Sequence, residues 1–259
     1  MKFIRKFYRW SLIIIIPLLI GSSIRGCEFL NLLSWFLCYN PSTVGVNDET
    51  YYQVGDFYSA GHYIFVTDSG KILNGSSLDN NGCFQTLNYD FIIPETDNSL
   101  NRVEYIQLIL VEKLLLAVGD NGTILLEDDP DSVNTFNQIS SPTNNNLNGI
   151  CTSLLTIFVV GDAGTVIKSV DEGVTWELLN FPYNVDLNDC SSPSPGEVIC
   201  VGSSYFAAYR TTDYGDTWEQ INFGDLVPES FKSKQGAGLQ RIYCYDNNIS
   251  YIIGAGLVF

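Results

Sequence analysis

Charge is scarce in this chain, and one sign of it is scarcer still. Only 16% of its 259 residues are charged, 13 of them basic against 29 acidic. No acidic residue precedes Glu28, and beyond Gly26 the basic ones are Lys71, Arg102, Lys113, Lys168, Arg210, Lys232, Lys234 and Arg241. These eight stand against all 29 acids, a formal charge of −21 for that part of the chain. Such a surface repels phosphate backbones, so nucleic acid is excluded as a partner by charge. With His62 the single histidine and no cysteine cluster around it, neither a zinc site nor a serine triad has its parts, and His62 reads as a loop or hairpin residue. No cofactor motif is evident. The acidic run from Glu127 to Asp131 does not follow the order of a calcium loop and reads as solvated.

Long apolar runs are also few. One runs from Trp10 to Ile20, preceded by Lys2, Arg5, Lys6 and Arg9 and followed by Gly21, Ser22 and Ser23. That is the layout of a secretory signal, short for a spanning helix, although a retained anchor is the alternative because Phe29 to Cys38 is apolar again. The division is residues 1–26 as signal peptide or signal-anchor, 27–51 as connecting segment, and 52–259 as a folded domain in a secreted or membrane-anchored protein. Membrane contact would come through the N-terminal segment alone.

What the chain has in abundance is strand-forming residues: 46% of it is apolar, with 15 tyrosines and 15 phenylalanines. The expectation is an all-β fold. Val118 to Ile124 (VGDNGTI) and Val160 to Val166 (VGDAGTV) are near copies, with echoes at Val66 to Ile72, at Val201, and at Ile253. Glycines 119, 161, 202 and 254 are 42, 41 and 52 residues apart, the period of four-stranded propeller blades. In each copy an apolar strand runs into Gly-Asp-x-Gly, whose glycine is expected to supply a positive φ for a tight hairpin, with Asn121-Gly122 the clearest turn. Cys151, Cys190 and Cys244 precede the repeat glycines by ten or twelve residues, so they read as equivalent, buried free thiols, with a bridge as the alternative. Cys27, Cys38, Cys83 and Cys200 are undetermined.

Two units carry a sharper pattern, S/T-x-D-x-G-x-T-W. It comprises Ser169, Asp171, Gly173, Thr175 and Trp176 in one, and Thr211, Asp213, Gly215, Thr217 and Trp218 in the other. An aspartate at such a turn accepts bonds from backbone N–H groups ahead of it, the glycine takes a strained angle, and the tryptophan starts the next strand. These residues read as turn stabilisers. At them the chain resembles the Asp-box, or sialidase-type repeat, propellers, and most of all the photosystem II stability and assembly factor family, over roughly Tyr52 to Phe259. The resemblance implies a β-propeller of about five four-stranded blades and a non-catalytic protein-binding or assembly role. The alternative is a carbohydrate-binding or sialidase-like propeller. A sialidase needs three converging arginines, for which Arg102, Arg210 and Arg241 are the candidates, but the Phe-Arg-Ile-Pro segment is missing and Arg210 lies on the strand entering a turn.

The last unit stops before any such turn, so a stretch between about Asn40 and Phe57 is expected to complete its blade. Tyr58, Tyr63, Tyr205, Phe206 and Tyr209 are candidate partner contacts or core residues. Asn74, Asn121 and Asn248 begin glycosylation sequons, Asn121 doubling as a turn residue.

Overall fold

The computed structural model describes residues 51–54, 62–67, 70–77, 87–92, 96–106, 114–127, 135–203, 207–223, 238–245, 249–254 and 257–258. The signal region, Cys27, Cys38, Cys83, Asn248, Tyr58, Tyr205, Phe206 and residues 128–131 lie outside them. Apart from Ser77, Leu87 and Asn88, the described residues belong to one compact unit, Val46–Ser76 and Tyr89–Phe259.

The described residues build five antiparallel sheets in chain order, all but the last four-stranded. The first is β1 (Tyr51–Val54), β2 (His62–Thr67), β3 (Ile72–Ser77) and β4 (Leu87–Ile92), and the second is β5 (Leu100–Ile106), β6 (Leu114–Gly119), β7 (Ile124–Glu127) and β8 (Phe136–Gln138). The third holds β9 (Leu147–Ser153), β10 (Thr156–Gly161), β11 (Val166–Ser169) and β12 (Glu177–Leu178). The fourth holds β13 (Leu187–Ser194), β14 (Glu197–Gly202), β15 (Ala207–Thr211) and β16 (Glu219–Asn222), and the fifth β17 (Leu239–Cys244), β18 (Ser250–Gly254) and β19 (Leu257–Val258). Every sheet is a simple meander, its strands adjoining in chain order. Of the 40–57 stretch, the described part is β1, and it pairs with β2 as the first strand of the first sheet.

Alternation within each strand gives a sheet two apolar faces, one toward the preceding sheet and one toward the next. Thus Ile106, Leu116, Val118, Ile124 and Leu126 of the second sheet pack on Leu147, Ile150, Ile157, Val159 and Ile167 of the third. Phe158, Val160 and Val166 of the third meet Leu187, Cys190, Val198, Cys200 and Tyr209 of the fourth. Val201 and Ala208 of the fourth meet Leu239, Ile242 and Ile252 of the fifth. The core is this series of interfaces, and Tyr209, 1% exposed, belongs to it, its ring 5.3 Å from that of Phe181.

One sequence expectation holds for the second glycine of Gly-Asp-x-Gly but not for the first, and another needs correction. The first glycine of V-G-D is extended, at φ −165° for Gly119 and −162° for Gly161. Its role is close approach: a Cβ at Gly119, Gly161 or Gly202 would lie 2.0 Å from the carbonyl oxygen of Ser99, Asn146 or Asp186. Positive φ falls on the turn residues Asn121 and Gly122, and on Ala163 and Gly164.

The second concerns the cysteines. Cys151 and Cys190 are joined by a disulfide, with Cα atoms 5.6 Å apart. Counting back from the glycine misaligned them because the hairpins differ in length. Counted from Leu147, Leu187 and Leu239 at the strand heads, Cys151, Cys190 and Cys244 are the fourth, third and fifth residues on. The odd and even positions point to opposite faces, so Cys151 on β9 looks forward to the fourth sheet and Cys190 on β13 looks back at it. Cys200 and Cys244 are free thiols, Cys200 fully buried.

Candidate functional site

The two S/T-x-D-x-G-x-T-W turns join the third and fourth strands of the third and fourth sheets. In each, the carboxylate is consumed locally. Asp171 Oδ1 accepts from the Thr175 amide at 2.9 Å and from the Ser169 hydroxyl at 2.9 Å, while Oδ2 accepts from the Thr175 hydroxyl at 2.6 Å. Asp213 repeats this with the Thr217 amide (2.9 Å), the Thr217 hydroxyl (2.6 Å) and the Thr211 hydroxyl (2.7 Å). The Gly173 and Gly215 amides donate to Ser169 and Thr211 at 2.9 Å, and the indole N–H groups of Trp176 and Trp218 donate to the Gly173 and Gly215 carbonyls. Bonds from the threonine hydroxyls, more than any other cause, hold Asp171 below its ordinary pKa and bring Asp213 down to about 2. Both glycines have positive φ, 87° and 92°. The geometry is that of turn stabilisers.

A second constellation sits where the first strands of the sheets adjoin. Each of β5, β13 and β17 begins with a leucine and carries a bulge just after it, between Leu100 and Arg102, Leu187 and Asp189, and Leu239 and Arg241. In β9 the register also shifts there, opposite Val160 and Gly161. A bulge re-aims the residue it carries. Here it frees Asn101, Asn148 and Asn188 to reach the next sheet, their amide groups donating to the carbonyls of Leu147 (3.1 Å), Leu187 (3.0 Å) and Leu239 (2.9 Å). The same amides of Asn101 and Asn148 donate to Asp120 (2.9 Å) and Asp162 (2.8 Å), the aspartates of V-G-D. The repeat signature is thereby the anchor of an inter-sheet latch.

The residue after each of these asparagines, Arg102, Gly149 and Asp189, and its counterpart Arg241 after Gln240, share one register position. Gly149 leaves the space between its neighbours open, for a Cβ there would lie 2.8 Å from the Asp189 Cα. Across that opening Arg102 Nη1 approaches Asp189 Oδ1 at 3.6 Å, while its Nε donates to Glu104 at 2.6 Å. Asp189 Oδ2 accepts from the Ile242 amide at 3.1 Å, and Arg241 Nη1 donates to the Asn188 carbonyl at 3.3 Å. Asp189 is 1% exposed, and its Oδ1 has no hydrogen-bond donor among the described residues. Burial pushes its pKa up, opposed by the charges of Arg102 and Arg241. Burial likewise lowers Arg241, opposed by Asp189. Two guanidinium groups and two carboxylates therefore balance around an incompletely bonded buried oxygen.

Of the three candidate sialidase arginines, the structure brings Arg102 and Arg241 to Asp189 and leaves Arg210 elsewhere. Arg210 lies on β15, third in its sheet, with Nε 2.6 Å from Glu197 and Nη1 3.2 Å from Glu219. His62 and Tyr63 are on β2 and Asn74 on β3. Asn121 is exposed and its amide already donates to Asn98 at 3.0 Å. Sequence reasoning missed Asp189 and the asparagine latch, whose available signal was Leu-Asn at 100, 147 and 187 with Leu-Gln at 239.

No family model matches the chain. It is similar to YkuO of Bacillus subtilis (strain 168), 37% identical over 62 residues that make up 24% of this chain and 20% of that protein. Among solved structures, YCF48 bound to D1 peptide aligns with a TM-score of 0.54 at 18% identity, over 78% of this chain and 60% of that one. YCF48 from Cyanidioschyzon merolae aligns at 0.57 and 16%, over 83% and 69%. The fold is that of a β-propeller. A streptogramin B lyase shares it, at 0.60 and 15%, over 81% and 64%, so the likeness speaks to architecture and not to chemistry. The chain thus spans between 60 and 69% of these solved propellers and a fifth of YkuO.

Proposed function

We propose that the chain is a non-catalytic protein-binding scaffold of the photosystem II assembly factor-like propeller type, its five sheets being blades and its two S/T-x-D-x-G-x-T-W turns Asp boxes. It engages a segment of another protein where the first strands of the blades adjoin. The observation that carries this reading is the cluster of Arg102, Glu104, Asp189 and Arg241 over Gly149, with Asp189 Oδ1 approached by Arg102 at 3.6 Å and accepting no hydrogen bond from the described residues. A peptide N–H would complete the bonding of Asp189. The likeness to YCF48, solved with a D1 peptide, supports a protein partner. The wide acidic surface beyond Gly26 favours a basic or neutral one. Export through the N-terminal segment, with secretion or tethering at the membrane, is supported by the Cys151–Cys190 bond, which persists in oxidising compartments.

The test is affinity purification of the tagged full-length chain from its native host in mild detergent, with quantitative mass spectrometry. A stoichiometric partner is expected to be retained by Arg210→Ala and lost by Arg102→Ala with Arg241→Ala. No partner, or equal retention by the doubly substituted chain, overturns the assignment and makes glycan binding the next assay.

A further inference from the structure

The Cys151–Cys190 bond stands beside the Asp189 cluster. Between Leu147 and Cys151, β9 is fastened to β13 in three ways. Asn148 donates to the Leu187 carbonyl at 3.0 Å, and Gly149 brings the backbones so close that a Cβ on it would lie 2.8 Å from the Asp189 Cα. Cys151 is bonded to Cys190, the residue after Asp189. The asparagine contact recurs between neighbouring sheets, from Asn101 to Leu147 and from Asn188 to Leu239. The disulfide does not recur at the equivalent places. The positions of Cys151 and Cys190 hold Glu104 and Ile150 where the second sheet meets the third, and Ser191 and Ile242 where the fourth meets the fifth. The covalent tie is placed where Arg102, on β5, reaches over β9 toward Asp189 on β13.

The buried carboxylate works against that closure. Asp189 is 1% exposed, its Oδ1 accepts no hydrogen bond from the described residues, and Arg102 Nη1 at 3.6 Å is beyond hydrogen-bond reach. A carboxylate so placed gains by meeting water, and it meets water when β13 moves off β9. The disulfide blocks that movement while it is intact. We propose that Cys151–Cys190 is a regulatory thiol–disulfide exchange site: a dithiol reduces it, β13 withdraws from β9, and the cluster loses the arrangement that holds a partner. This regulation rests on the partner-binding reading given above. Cys151 is half-buried and Cys190 only 3% exposed, so a thiolate of the reductant attacks the Cys151 sulfur. The S–S bond breaks, and the Cys190 sulfur leaves with the electron pair and takes a proton. The second thiol of the reductant then displaces Cys151, also as a thiol. The chain gains two electrons and two protons, and the dithiol becomes a disulfide. The coupling is reciprocal: to the extent that the bond holds the cluster together, the cluster protects the bond.

Reduction midpoints of the full-length chain in graded dithiothreitol buffers test this without a partner, read by alkylation and mass spectrometry of the Cys151 and Cys190 peptides. Arg102→Ala removes a charge that steadies Asp189 across the interface. It is expected to shift the thiol–disulfide equilibrium toward the reduced form at least tenfold, about 30 mV. Arg210→Ala, whose ion pairs are with Glu197 and Glu219, is expected to leave the midpoint unchanged. The reduced chain is expected to keep the folded fluorescence of Trp176 and Trp218. Equal midpoints for Arg102→Ala and the wild type overturn the proposal. A chain that unfolds on reduction overturns it too, because the bond is then a staple and not a control. The oxidised and reduced chains next serve as baits in native-host extract. A partner captured at least tenfold better by the oxidised chain, and lost by Arg102→Ala with Arg241→Ala, is the expected result. Equal capture by both redox forms overturns the regulation and leaves the partner reading standing. No capture by either form sinks the partner reading instead, while the midpoints still decide whether the bond governs the cluster.

Discussion

Breaking the Cys151–Cys190 bond is the perturbation whose size is best set by the structure. It joins the first strands of two adjacent blades across a separation of 39 residues. In the chain-entropy account, freeing a loop of that length restores about 4 kcal/mol of disorder to the unfolded chain. Domains of ordinary stability have about 5–15 kcal/mol in all, so the loss is large. With a urea dependence of about 2.5 kcal/mol per molar, the midpoint falls by about 1.5 M. The assay is urea unfolding of the wild type, with and without reductant, and of Cys151→Ser with Cys190→Ser, followed by the fluorescence of Trp176 and Trp218, which pack on the clusters beside this interface. Cys200 pairs with Cys190 across β13 and β14, yet burial, and after it the charge of Asp189, push its thiol far up, so it is expected not to exchange in the folded protein. Equal midpoints in oxidised and reduced protein would refute the reasoning, and so would a native Cys200 that alkylates rapidly.

Three further outcomes follow from the geometry. Gly149→Val drives a side chain against the Asp189 backbone and the Val160 methyl, 2.8 and 2.9 Å from the first added carbon, and is expected to cost about 1–3 kcal/mol in the same unfolding assay. Asn148→Ala removes the donor shared by Asp162 and the Leu187 carbonyl and is expected to cost about 1–3 kcal/mol, with faster hydrogen exchange in β9 and β13 than in β5. Asp213 titrates near 2 when folded against an ordinary 3.8, so the unfolded chain binds its proton first. Its contribution is whole above about pH 4 and disappears as pH falls toward 2, and Asp213→Asn should flatten that stretch of a thermal-stability profile.

The fold was legible where the constraint is local. V-G-D-x-G names a turn whose two positive φ angles fall on adjacent residues, Asn121 and Gly122 or Ala163 and Gly164, whereas the close approach at its first glycine involves a carbonyl from the residue before the neighbouring strand and was not legible. The S/T-x-D-x-G-x-T-W turns were legible for the same reason, since every bond of Asp171 and Asp213 described above is made to a residue no more than four away. The cluster at Asp189 was not. Its members come from β5, β13 and β17, it depends on a missing side chain at Gly149, and the bulges that aim it leave no mark in the hydrophobic pattern. The cysteines failed for an intermediate reason. The residues were recognised, but a difference of one or two positions in hairpin length turns a side chain to the other face, and it is the face that decides whether two cysteines meet.

The central claim is that a partner protein docks where the first strands of the blades adjoin. Hydrogen exchange of the full-length chain with and without its co-purified partner measures the footprint directly. Protection gained in the Arg102, Asp189 and Arg241 segments of β5, β13 and β17, with the outer strands β8, β12 and β16 unchanged, is the predicted result. Protection confined to those outer strands, or to the two aspartate turns, would contradict it.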